Sequence, residues 1–348
     1  MSRMQRLRQQ AGALVVDNAF WGASALGRLH PFASPQKQGV VVTRDVPYLV
    51  DSAKPRGAPS IDEDDQTHVH TLDLYRPVEA ASGASGASGP LPVVLYVHGG
   101  GFRVLSKDTH WIMALAFARR GFLVYNINYR LAPRHPYPAA LADVSAAFRH
   151  VVSTAESLGG DQSKLVLAGE SAGANLVTAL SLCCVTRRPE PFAAAVFDTG
   201  VVPKVVLPAC GIFQVSDVDR LHRRRPLPAF LRDRLREVEE SYLHRATPST
   251  APLADPLLLL ERGLDLARPL PPYFLPVGTR DPLLDDSRRL QAALRAHGAV
   301  ADMTVYPGEM HAFHALVFRE AARRCWRDQF AFLERHLDHP LRRRPSTQ

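Results

Sequence analysis

The chain reads as an α/β protein with a mostly parallel central sheet covered by helices on both faces. Three observations predict this. From Leu91 onward, short apolar runs alternate with stretches of helical spacing, the pattern of strands joined by crossover helices. Runs such as Leu91–Val97 and Leu165–Ala168 are apolar without a polar alternate, as expected of strands covered on both faces. The residues best suited to chemistry fall directly after strand runs, where open parallel sheets gather their sites.

Composition bounds the reading. At 348 residues, with 46% hydrophobic and 22% charged residues, one domain with insertions fits better than two. The formal net charge is +8, but the basic residues are scattered, apart from His222–Arg225 and the tail run Arg342–Arg344. No nucleic-acid motif accompanies them, so no nucleic-acid partner is expected. Cys183, Cys184, Cys210 and Cys325 form no disulfide framework and read as small core residues in a reducing compartment. No C-x-x-C or Cys/His spacing suggests a structural zinc, and no cofactor is expected. The apolar run Ala11–Val16 is short for a signal peptide and far too short for a membrane span. A cytoplasmic protein with no membrane role is expected. Nothing separates monomer from homodimer.

In chain order, Met1 to about His30 reads as a helix, with Leu7, Ala11, Leu14 and Val15 on one face. Gly39–Tyr48 and His70–Tyr75 alternate as two antiparallel strands, separated by a Pro/Gly-rich and then acidic loop, Ser52–Gln66. Residues 80–90 carry a repeated Ala-Ser-Gly and read as a flexible connector. Leu91–Val97 is a strand, His110–Arg120 a helix stopped by Gly121, and Phe122–Tyr129 a strand. Leu141, Val144, Phe148 and Val151 keep helical spacing. Leu165–Ala168 is the strand that leads into a tight turn at Ser171 and a buried helix. Pro208–Val215 and Phe274–Val277 follow as strands. A helix carries Leu290 and Leu294 and closes at Gly298. Ala301–Tyr306 is a strand, and a long helix is expected from about Ala312 to His336. Ser216–Leu270 breaks the alternation, with a helical piece at Arg232–Leu243, and reads as an insertion covering the site.

The chemistry centres on Gly169-Glu-Ser-Ala-Gly173. A serine between strand and helix, with glycine two residues to either side, is the pattern of a nucleophile raised on a sharp turn. The Ala172 N–H, at the helix start, would face an oxyanion. Upstream, His98-Gly99-Gly100-Gly101-Phe102 follows a strand, and its glycines leave backbone N–H groups open toward the same point. Asp281 and His311 stand at the ends of later strands, giving the order Ser, acid, His. In this reading Ser171 attacks a carbonyl, His311 carries the proton, and Asp281 orients the ring. Asp285 and Asp286 compete for the acid and His314 for the base, but each stands farther from a strand end. His98 is expected to brace the glycine loop. Glu170 reads as a helix N-terminal charge or a hydrogen-bonding brace, without a catalytic proton.

His98-Gly-Gly-Gly-Phe102, Tyr129-Arg-Leu-Ala-Pro133 with His135-Pro-Tyr-Pro138, Gly169-Glu-Ser-Ala-Gly173, Asp281-Pro-Leu283 and His311 together resemble the hormone-sensitive-lipase-like branch of the α/β hydrolases. The resemblance is dense over Leu91–Leu182 and Pro272–Phe313. It implies the α/β-hydrolase fold, a Ser171–Asp281–His311 triad, and an oxyanion hole from the N–H groups of Gly100, Gly101 and Ala172, with Gly99 supporting the turn. It also implies a helical cap formed by N-terminal helices (1–38) and the insertion at about 216–270 of a hydrolase domain (39–348). The Tyr129 segment is read as scaffold. The implied activity is carboxylesterase action on a short- to medium-chain acyl ester. An arylformamide or amide hydrolase with the same triad, a membrane-surface lipase and a non-catalytic binding protein stay open. Where members usually carry Asp or Thr, this chain has Glu170. Arg134 and Ala312 depart from the usual Glu and Gly.

Overall fold

The apolar runs become strands buried on both sides. A computed structural model describes residues 22, 27, 33–49, 69–78, 89–339, 341 and 342. Its strands are β1 (Val40–Pro47), β2 (Thr71–Pro77), β3 (Leu91–Val97), β4 (Leu123–Ile127), β5 (Gly160–Glu170), β6 (Val205–Ala209), β7 (Tyr273–Gly278) and β8 (Ala301–Tyr306). They form one sheet in the order β1-β2-β4-β3-β5-β6-β7-β8. β2 pairs antiparallel with both β1 and β4, and every later pairing is parallel.

Helices cover the two faces. α1 (Trp111–Ala118) follows β3. α2 (Ala139–Thr154), α3 (Ala172–Val185) and α4 (Pro191–Phe197) follow β4 and β5. α5 (Asp219–Arg224), α6 (Ala229–Leu243) and α7 (Pro256–Glu261) occupy the expected insertion, and α8 (Leu284–Ala296) and α9 (Glu320–Leu337) complete the set. The two-residue period of β3 sorts its side chains between layers. Val93, Leu95 and Val97 join the core formed with α2 and α3, whereas Val94 and Tyr96 join the core formed with α1 and α9. Full burial of a Val or Leu contributes roughly 1.5–3 kcal/mol. β3, with every residue buried, is therefore fixed from both sides.

Two expectations are corrected, and one helix has no counterpart in the sequence reading. The strand expected at Pro208–Val215 lies earlier, at β6. Beyond it, Phe213, Gln214, Val215 and Ser216 are buried, but their amides bond to carboxylates instead of a neighbouring strand. Asp286 Oδ2 takes the first two, at 3.0 and 3.2 Å, and Asp255 Oδ1 the last two, at 2.5 and 3.0 Å. A buried loop with such partners has the same apolar signature as a strand. The helix expected from Ala312 begins only at Glu320. Ala312 adopts φ 54°, which breaks the helix at a residue type that gives no warning, and a short 3₁₀ turn, Phe313–Ala315, follows. The helix α4, opened by Pro191 at its first turn, was not anticipated.

All of the expected Met1–His30 helix but residues 22 and 27, the loop at Ser52–Gln66 and nearly all of the 80–90 connector lie outside the described residues. Among the described residues, no helix is long and apolar enough to cross a membrane. The basic run 222–225 forms surface pairs, Arg223 with Asp217 at 2.6 Å and Arg224 with Asp285 at 3.0 Å. Cys183 and Cys184 lie in α3 as expected, and all four cysteines are free and buried.

Candidate active site

The parallel pairing of β3, β5, β6, β7 and β8 brings their C-terminal ends to one edge, and each of the candidate groups lies just beyond such an end. Ser171 joins β5 to α3 with φ 54° and ψ −114°, a conformation that costs a non-glycine residue about 1–3 kcal/mol. Close packing forces the bend. A Cβ on Gly173 would stand 2.1 Å from the Val97 carbonyl oxygen and 2.5 Å from that of His98. The bend is pinned by the Ser171 N–H to the Ala209 carbonyl of β6, at 2.9 Å.

The loops after β7 and β8 approach just as closely. A Cβ on Gly278 would lie 2.1 Å from the Glu309 carbonyl oxygen. Thr279 N–H donates to Tyr306 O at 3.0 Å, Arg280 N–H to Glu309 O at 2.9 Å, and Gly308 N–H to Thr279 Oγ1 at 2.8 Å. This lacing sets Asp281 beside His311. His311 Nδ1 lies 2.9 Å from Asp281 Oδ2, and His311 Nε2 lies 2.9 Å from Ser171 Oγ. The other carboxylate oxygen of Asp281 accepts the Leu283 N–H at 2.8 Å. Asp281 is buried, while the His311 side chain keeps 35% exposure, so one edge of the ring is open. Enclosure works against charge on His311, but the Asp281 carboxylate outweighs it and holds the imidazole well above its ordinary range.

The glycine loop faces the serine from β3, whose end is in register with β5 at Val97 and Gly169. Gly100 and Gly101 have φ 107° and 60°. Gly99 packs on Glu170, and a Cβ there would be 3.1 Å from the Glu170 carbonyl oxygen. Ala172 is the first residue of α3, beside Ser171. His98 braces the loop as expected. Its Nδ1 donates to Gly99 O at 2.7 Å, its ring stacks on Tyr129 at 4.2 Å, and burial pushes it down to about 3, so it stays a neutral imidazole. Tyr129 also donates from its hydroxyl to His98 O at 3.0 Å, the scaffold role read from its motif. The insertion grips the same loop. Val238 of α6 fills the space against Gly101, Tyr242 stacks on Phe102 at 3.7 Å, and Glu237 pairs with Arg103.

The competing residues are engaged elsewhere. Asp285 pairs with Arg224, and Asp286 takes Arg220 at 2.6 Å in addition to the two loop amides. His314 lies 2.8 Å from Glu170 Oε2. Sequence reasoning missed Cys210. Just beyond β6, its sulfur lies within 4.8 Å of ligand atoms of both Asp281 and His311. Burial pushes its thiol up, so it sits against the pair as a neutral group. A thiol, a carboxylate and an imidazole form a donor set that metals accept, but both ring nitrogens of His311 already face protein partners. No other group of this kind occurs among the described residues. An apolar run gave no sign that Cys210 would turn at its strand end.

Comparisons with known proteins agree with this architecture. A family profile for the α/β-hydrolase fold matches residues 94–315. The chain is 33% identical over 244 residues to carboxylesterase NlhH of Mycobacterium tuberculosis, covering 67% of this chain and 70% of that protein. Among solved structures it resembles a bacterial heroin esterase (TM-score 0.69, 24% identity, 92% of this chain and 91% of that one). It also resembles an esterase of the bacterial hormone-sensitive lipase family (TM-score 0.63, 24% identity, 86% and 85%). These structural likenesses speak to the fold. With its strand order, its strained serine turn and the profile match over most of its length, the chain belongs to the α/β-hydrolase family.

Proposed function

We propose that the chain is a serine-dependent carboxylesterase that hydrolyses short- to medium-chain acyl esters through an acyl-enzyme intermediate. The observation that carries this is the bridge made by His311, with one nitrogen 2.9 Å from Ser171 Oγ and the other 2.9 Å from the buried Asp281. In the proposed path, His311 Nε2 takes the Ser171 proton as Oγ bonds to the ester carbonyl carbon. The carbonyl oxygen becomes an oxyanion, facing the N–H groups of Gly100, Gly101 and Ala172 while Gly99 holds the loop in place. One such donor is worth about 3–4 kcal/mol of barrier. Collapse breaks the ester C–O bond, and the alcohol leaves with the proton from His311. Water then gives its proton to His311, attacks the acyl carbon, and releases the acid and free Ser171. Nothing in this path calls for a metal or an organic cofactor. The named activity of the 33%-identical relative supports the ester substrate class.

The test is hydrolysis of p-nitrophenyl esters from acetate to palmitate by the wild type and by Ser171→Ala. Turnover highest at short or medium chains and abolished in the variant is expected. A folded wild type that hydrolyses no ester overturns the reading, and a maximum at palmitate overturns the chain-length preference.

A further inference from the structure

Glu170 precedes the nucleophile, and the path above makes no use of it. Its side chain is 4% exposed. A carboxylate so enclosed costs several kcal/mol unless opposite charge and hydrogen bonds compensate. Burial pushes its pKa up, but His110 and then His314 outweigh that and hold it well below the usual carboxylate range, so it is charged. His110 Nε2 donates to Oε1 at 2.8 Å. His314 Nε2 stands 2.8 Å from Oε2 as an ion-pair contact, without an aligned hydrogen bond. The second nitrogen of His110 is informative. Its Nδ1 lies 2.9 Å from Thr109 Oγ1 and 3.1 Å from Ser106 O. The Thr109 hydroxyl also lies 2.7 Å from Ser106 O. His110 is thus tied at both ring nitrogens, to Glu170 on one side and to the Ser106–Thr109 turn on the other.

The three residues belong to different working parts. Glu170 ends β5, directly before Ser171. His110 opens α1, just past the glycine loop. His314 lies in the 3₁₀ turn three residues after His311. The same Glu170 also lies beneath Gly99, where an added Cβ would be 3.2 Å from its Cγ. We propose that Glu170 is a positioning residue, which through His110 and His314 ties the serine turn, the glycine loop and the His311 loop to one buried charge and so holds His311 in register with Ser171. It touches no reacting atom. The proposal rests on the esterase reading for its activity assay, but not for its structural readout.

The experiment compares wild type, Glu170→Gln, His314→Gln and the double variant in the full chain. It measures kcat and KM on p-nitrophenyl butyrate, the melting temperature, and the downfield proton resonance of the His311–Asp281 hydrogen bond. Glu170→Gln keeps the shape and removes the charge. Its expected effect is a fall in kcat of about 10- to 100-fold, the scale of a 1 Å misplacement. KM is expected to change by less than about threefold, since substrate binding is not the step affected. The downfield resonance is expected to shift or broaden. His314→Gln should act in the same direction, and the double variant should be no worse than the worse single, as for residues acting through one network. A folded Glu170→Gln variant with wild-type kcat and an unmoved resonance overturns the proposal. So does a lowered melting temperature with kcat per folded molecule unchanged, or effects of the two variants that simply multiply. If Glu170→Gln does not fold, His314→Gln, which alters only the turn, decides by the same readouts. If the wild type turns over no ester, the esterase reading fails, while the resonance still decides whether Glu170 positions His311.

Discussion

Replacing Gly100 with alanine tests the glycine loop most directly. A Cβ built there would lie 2.0 Å from the Val104 carbonyl oxygen, about 1 Å inside the 3.0 Å that real Cβ atoms keep. The obstacle is backbone, and the turn is closed on itself, with Arg103 N–H and Val104 N–H both donating to Gly100 O, at 3.1 and 3.2 Å. The side chain can be accommodated only if the turn opens by about that 1 Å, which moves the loop's N–H groups off the position proposed for the oxyanion. Displacing one donor corresponds to about 10²–10³-fold in kcat. The alanine also meets φ 107°, outside the regions that L-residues favour, which adds about 1–3 kcal/mol of strain. Gly159→Ala separates the two effects. Gly159 has φ 83° with nothing within 4 Å of the added Cβ, so it carries strain without collision. The assay is steady-state hydrolysis of p-nitrophenyl butyrate, normalised to active sites titrated with a phosphonate, beside thermal melts of both variants. Gly159→Ala should lose stability and keep kcat, whereas Gly100→Ala should lose both. Wild-type kcat in folded Gly100→Ala would refute the argument that this turn sets the donors.

Two further outcomes follow from the charges. Because Asp281 holds His311 well above its ordinary value of 6.5, the ring stays protonated to a higher pH, and in the proposed path it can act as base only beyond it. The acid limb of kcat/KM should therefore lie above pH 6.5, and Asp281→Asn should bring it down while lowering kcat by about 10⁴-fold. A limb that stays in place in the variant, followed from about pH 5 to 10, would show that another group raises the ring. Asp286→Ala leaves the Arg220 guanidinium, 14% exposed, without its carboxylate, and strands the Phe213 and Gln214 amides. The expected loss is about 3–5 kcal/mol in urea unfolding, and a loss below about 1 kcal/mol would mean that apolar packing alone holds this loop.

The parts legible in the sequence share a physical basis. Continuous apolar runs such as Leu91–Val97 mark strands because both faces must be buried, and the positions of Ser171, Asp281 and His311 after such runs are enough to bring them together once the strands are parallel. The illegible parts depend on side-chain partners distant in sequence. Nothing local in Phe213–Ser216 announces that Asp255 and Asp286 will take its amides, so the run passes for a strand. His314 reads from its position as a rival base, although its actual partner is Glu170, far away in sequence. Glu170 itself was readable as a brace, but not what it braces, because neither His110 nor His314 stands at a spacing that points to it.

The backbone carries the same lesson further. Of the nine non-glycine residues at positive φ among the described residues, five, Phe102, Leu105, Ser171, Cys210 and Ala312, lie in the loops at the C-terminal edge of the sheet. Each costs about 1–3 kcal/mol, so together they store strain comparable to a sizeable part of a domain's stability. Such strain persists only where the surroundings over-determine it, and here the surroundings can be named. Phe102 is stacked between its own loop and Tyr242 of α6, and its carbonyl is held by the Ala132 N–H at 2.8 Å. Ser171 is held by Ala209, and Ala312 lies between His311, fixed by Asp281, and a turn whose His314 meets Glu170. The insertion helix α6 and the buried His110–Glu170–His314 cluster thus both bear on the same strained edge. The cap is then a mechanical part of the site, because loosening α6 would relax Phe102 and, with it, the glycine loop that the proposed chemistry requires.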